Sequence, residues 1–143
     1  MTSVSGSNGA FSLKAYRGDF KTLLAFNLPQ GKSKNLAGFS MQYEAGGQAF
    51  YIHNQLQYKT PGNHAQDPKE PPNSSVNAPI HKFRWVHVPG SVHQGLKPFR
   101  GKYKYTVTPR YFDQNQSMLP LDPNLSASVT IDVGPFEKGK LAL

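Results

Sequence analysis

From residue 102 to 111 the side chains alternate with few errors. Tyr103, Tyr105, Val107, Pro109 and Tyr111 share one parity, and Lys102, Lys104, Thr106, Thr108 and Arg110 share the other. From 125 to 133, Leu125, Ala127, Val129, Ile131 and Val133 oppose Ser126, Ser128, Thr130 and Asp132. A period of two predicts strands with one face on a core and one in water. Between them, residues 112–124 carry Asp113, Asn115, Pro120, Asp122, Pro123 and Asn124, which suit a long hairpin connection. Pro109 is discordant, because proline cannot donate in a central ladder, and it predicts a splay or bulge in the hairpin.

More strands precede these. Residues 11–17 alternate with Phe11, Leu13 and Ala15 inward, and Gly18-Asp19 supplies a turn. Residues 20–28 are apolar on both parities (Leu23 and Ala25; Leu24, Phe26 and Leu28), which predicts a central strand covered on both sides for part of its length. After a polar, basic loop over 29–35, Phe39, Met41 and Tyr43 align within 36–44, and Gly46-Gly47 makes a turn. Phe50, Ile52, Leu56 and Tyr58 align within 48–58, and Phe83 and Trp85 within 81–88. A proline-rich loop covers about 59–80 and is longer than ordinary connections, so it is either an Ω-type functional loop or a mobile insertion. No segment shows a 3.6-residue apolar period. About seven strands separated by turn signals predict an all-β antiparallel sandwich of immunoglobulin or fibronectin-III type. Trp85 is the expected core anchor, and Tyr103 or Tyr105 the expected tyrosine-corner residue.

The chain has 143 residues, enough for one domain with its own core. The expected organisation is a single domain over 1–143, disordered at about 1–8, with an exit toward a linker at about 134–143. There is no cysteine, which excludes disulfides and thiolate chemistry and suits a reducing compartment. The first residues show neither a basic n-region nor an apolar h-region, so a cytoplasmic location is expected. No stretch approaches the roughly 20 apolar residues of a membrane span. The glycosylation sequons at Asn73, Asn115 and Asn124 are therefore expected to stay unused.

The formal charge of +8, from 16 Lys and Arg against 8 Asp and Glu, favours an anionic partner. The basic residues are scattered rather than run together. Lys14, Arg17 and Lys21 lie on and just after the first strand. Lys102, Lys104 and Arg110 share one strand face and form the candidate anion site; a solvated strand face is the plainer alternative. His93, Lys97, Phe99 and Arg100 share a turn-rich loop and are candidates for docking a neighbouring domain.

Catalytic patterns are sparse. His81 and His87 share a parity but lie about 20 Å apart along an extended strand, too far for one metal ion. His53, His64 and His93 fall elsewhere. Glu44, Asp67 and Glu70 have no pairing spacing, and no nucleophile elbow, phosphate loop or zinc motif occurs. Neither a metal, nor a cofactor, nor catalysis by this chain alone is expected.

Five runs carry a resemblance: Gly9-Ala-Phe-Ser-Leu-Lys-Ala-Tyr-Arg-Gly-Asp19, Asn35-Leu-Ala-Gly-Phe39, His81-Lys-Phe-Arg-Trp-Val-His-Val-Pro-Gly90, Tyr105-Thr-Val-Thr-Pro-Arg-Tyr-Phe-Asp113 and Val133-Gly-Pro-Phe136. From about Gly9 to the C-terminus the chain resembles the N-terminal region of bacterial phospholipase D-like proteins. The resemblance implies an accessory β-sandwich followed by phosphodiesterase domains. That family's catalytic signature is His-x-Lys with Asp further on, and none of His53, His64, His81, His87 or His93 has lysine two positions later. What the resemblance implies here is a supporting, non-catalytic module whose partner is the catalytic part of the same polypeptide or another protein. The alternative is a standalone binding module for an anionic ligand: phosphate, a lipid head group or a glycan.

Overall fold

The computed structural model describes residues 3–18, 21–32, 34–53, 69–71, 74–77, 79–88 and 101–133. Among them the strands are β1 (Ser3–Asn8), β2 (Phe11–Gly18), β3 (Lys21–Asn27), β4 (Leu36–Ala45), β5 (Gln48–Tyr51), β6 (Arg84–His87), β7 (Gly101–Tyr111) and β8 (Ala127–Val133). They form two four-stranded sheets, β1-β2-β3-β6 and β5-β4-β7-β8. Every neighbouring pair is antiparallel. Without β1, the order β2-β3-β6 against β4-β7-β8 is the A-B-E against C-F-G arrangement of an immunoglobulin-type sandwich, and β5 adds a strand beside β4.

Alternation decides what each sheet buries. Phe11, Leu13, Ala15, Leu24 and Phe26 face Phe39, Met41, Tyr43, Tyr103, Tyr105, Val107, Val129 and Ile131 in one core. Phe39 is fully buried, and its ring centre lies 4.5 Å from Phe26 and 5.9 Å from Phe11, tying β4 to the opposite sheet. Burying each such side chain is worth about 1.5–3 kcal/mol. Gly46 and Gly47, at φ 59 and 80, make the two-residue hairpin between β4 and β5. Turns with two positive φ angles match the twist of the strands they join.

The structure differs from the sequence expectation at several points. Residues 3–8 are not disordered but form β1, paired from Ser3↔Tyr16 to Asn8↔Phe11. The Asn8 side chain fastens the end of β1 by donating to the carbonyls of Asn124 (2.6 Å) and Ser126 (2.9 Å). Among the described residues there are eight strands, in line with the expected seven or so, with β1 as the addition. β8 begins at Ala127 because Pro123–Leu125 forms a 3-10 turn, capped by the Asp122 carboxylate accepting from the Asn124 amide, and Leu125 is exposed. β5 and β6 are four residues each. Trp85 is only partly buried against the core, and Phe83 is exposed. The ladder between β7 and β8 ends at Val107↔Ala127, short of Pro109, as the proline requires.

Within the proline-rich loop, residues 74–77 are buried. The Ser75 hydroxyl accepts from the Met41 amide and donates to the Met41 carbonyl, each at 3.0 Å, while Ser40 Oγ donates to the Ser75 carbonyl at 2.7 Å. Ile80 and Phe39 exchange two backbone hydrogen bonds of 2.8 Å. Gly38 permits this close approach. Its φ is +136, and a Cβ there would lie 2.8 Å from the Ile80 carbonyl oxygen. This segment therefore roofs one end of the outer side of β4.

Candidate functional site

The three proposed anion-binding residues do not form one site. Lys102 and Lys104 are exposed on the outer face of β7. Lys102 stands opposite Asp132, and Lys104 opposite Glu44 on one side and Thr130 on the other, so each cation faces a carboxylate-bearing neighbour. Arg110 shares their parity but is 1% exposed. Its Nη1 donates to Ser40 Oγ (2.8 Å) and the Val76 carbonyl (2.7 Å), and its Nη2 to the Leu119 carbonyl (3.1 Å). The expectation of a shared wet face fails because residues 74–77 cover the far end of the strand. Arg110 is a pin holding that cover. His93, Lys97, Phe99 and Arg100 lie outside the described residues, as does His64.

A histidine–tyrosine cluster fills the core beneath β6. His87 is buried, and its Nδ1 lies 2.7 Å from the Tyr105 hydroxyl. The phenol donates to bare Nδ1 in one imidazole tautomer and accepts from Nδ1–H in the other. The His87 ring centre is 4.4 Å from that of Tyr43, which is 5.7 Å from Tyr103. Burial pushes the Tyr43 phenol far above its ordinary range, with a further push from Tyr103. Burial does the same to Tyr105; the Thr22 hydroxyl pulls the other way, though it makes no hydrogen bond of good geometry, and Tyr103 and Tyr43 add to the rise. The raised phenols stay protonated at neutral pH, and the three tyrosines pack as part of the hydrophobic core. The tyrosine-corner role expected of Tyr103 or Tyr105 gives way, at Tyr105, to this bond to the opposite sheet.

Among the described residues no three His, Asp or Glu side chains are grouped to hold a metal ion. His81 is exposed and His53 forms a bridge with Ser74. No helix among them is long and apolar enough to cross a membrane.

The outer face of the first sheet is chemically distinct. Registers place Tyr16, Leu23 and Val86 in one row and Lys14, Ala25 and Arg84 in the next, with Ser3 and Ser5 continuing the rows onto β1. Lys14, Lys21 and Arg84 are exposed, and Val86 is 52% exposed. The Lys14 ammonium lies 5.1 Å from the Tyr16 ring centre. A shallow depression of about 440 Å³ lies beside them, lined by Ser5, Ser12, Lys14, Tyr16, Ala25 and Asn27 among others. The sequence did carry a signal for this face in the apolar residues on both parities of β3. They predict a strand covered on both sides, but Leu23 and Ala25 are partly open to solvent.

No protein-family model, curated protein or solved structure matches this chain.

Proposed function

We propose that this chain is a non-catalytic interaction module, the N-terminal accessory sandwich of a phospholipase D-like phosphodiesterase, acting through contacts with its catalytic part or with another protein. One observation supports this most. Two of the most chemically capable side chains of the described interior are committed to holding the fold, Arg110 to the cover over β4 and His87 to Tyr105. With these two side chains engaged, the surface is the place to look for function. The resemblance of the five sequence runs supports the family part of the reading. The alternative of an anion site built on Lys102, Lys104 and Arg110 loses its third member to the interior.

The test compares phosphodiester turnover by the isolated chain with turnover by the polypeptide that carries it. The reading predicts none from the isolated chain, and a fall in the parent's activity or assembly when residues 1–143 are deleted. Turnover by the isolated chain would overturn it.

A further inference from the structure

The two outer faces of the sandwich differ in charge. On the second sheet, Lys102 and Lys104 are matched by Asp132 and Glu44 across the strands, and Ser40, Thr108 and Arg110 are buried. On the first sheet there is no such match. β1, β2, β3 and β6 contain no acidic residue at all, while Lys14, Lys21 and Arg84 stand exposed on the outer face.

Those cations frame an apolar row. Tyr16, Leu23 and Val86 run across three neighbouring strands, and Lys14 and Arg84 flank Ala25 one row away. With strands about 4.8 Å apart, their backbone positions lie about 10 Å from each other across the sheet. An apolar centre with Tyr and Arg at hand and a charged rim is the anatomy of a protein interface.

We propose that the outer face of β2-β3-β6 docks an acidic protein surface with an apolar centre. This rests on the interaction-module reading and names its contact face. Charge complementarity selects the occupant. A second copy would press Lys14, Lys21 and Arg84 against their own kind, which like-charge repulsion opposes. Single-stranded nucleic acid wants a stacking platform, and the one aromatic ring of these rows carries Lys14 over it, while a duplex wants a longer run of phosphate-matching cations than Lys14, Lys21 and Arg84 supply. A bilayer wants apolar side chains on a protruding tip, whereas Leu23 and Val86 sit within a pleated face beside Lys14 and Arg84.

The experiment places a photo-crosslinking residue in the full natural polypeptide in its source cells. Val86→p-benzoylphenylalanine probes the first sheet and Thr130→p-benzoylphenylalanine the second. The expected adduct forms at position 86, with a peptide rich in Asp and Glu, either within the same polypeptide or on another protein. Lys14→Glu with Arg84→Glu should cut that adduct by about tenfold, while Lys102→Glu with Lys104→Glu leaves it intact. All four positions are exposed, and unchanged thermal unfolding confirms that the variants fold. The proposal is overturned by an adduct that survives the first pair of substitutions, by one to lipid, nucleic acid or a non-acidic peptide, by a second copy, or by no adduct at position 86. An adduct only at position 130 would remove this face yet leave the module reading standing. Turnover by the isolated chain would remove the module reading itself.

Discussion

His87 Nδ1 and the Tyr105 hydroxyl meet at 2.7 Å in the core, joining β6 of one sheet to β7 of the other. The bond satisfies two polar groups that burial would otherwise penalise. Tyr105→Phe leaves the ring packing in place and removes only the hydroxyl. It should cost about 1–2 kcal/mol, read from urea unfolding midpoints at constant slope. An unchanged midpoint would mean that the bond contributes nothing to stability.

Alkaline pH should attack the same cluster. Folding holds Tyr43 and Tyr105 protonated well above the ordinary phenol value of 10.0. Unfolded tyrosines ionise near pH ~10, so above it the unfolded chain sheds protons that the folded chain keeps. The stabilisation is fully present below that pH and is lost as pH rises through the alkaline range. Tyrosinate absorbance should therefore show a fraction of rings that ionise only as circular dichroism reports unfolding. Tyr43→Phe should move that transition to higher pH. Ionisation of every tyrosine with the fold intact would contradict this.

Arg110 and Lys104 lie on one strand parity and should behave oppositely. Arg110→Met strands the Ser40 hydroxyl and the Val76 and Leu119 carbonyls without their donor. A loss of about 2–4 kcal/mol is expected in thermal unfolding, with faster proteolysis near residues 74–77. Lys104→Ala, at an exposed position, should stay within about 0.5 kcal/mol of the starting protein. Equal effects would refute the pin role of Arg110.

Gly38 should not tolerate a side chain. Gly38→Ala combines φ +136 with a Cβ 2.8 Å from the Ile80 carbonyl. The expected loss exceeds about 1 kcal/mol, and amide exchange at Phe39 and Ile80 should accelerate as their paired bonds open.

Much of the sandwich was legible in the sequence. Tyr103, Tyr105 and Val107, Val129 and Ile131, and Phe39, Met41 and Tyr43 all face the core as their alternation requires. What escaped had physical reasons. β1 alternates too, but Val4 and Gly6 are too small to announce a buried face. Arg110 reads as solvent-facing because parity groups it with Lys102, and its cover comes from residues far away in sequence. Leu23 and Ala25 read as buried by a second layer, since an apolar residue facing outward looks the same as one facing another layer. The face they form with Lys14, Tyr16, Arg84 and Val86 emerged only from the strand registers.

On the proposed reading, this sandwich serves a larger polypeptide. The most direct test is the mass of the native protein, detected in extracts of its source with an antibody raised against this domain. A band far above 15.8 kDa is the predicted result. A single band at 15.8 kDa would contradict the claim.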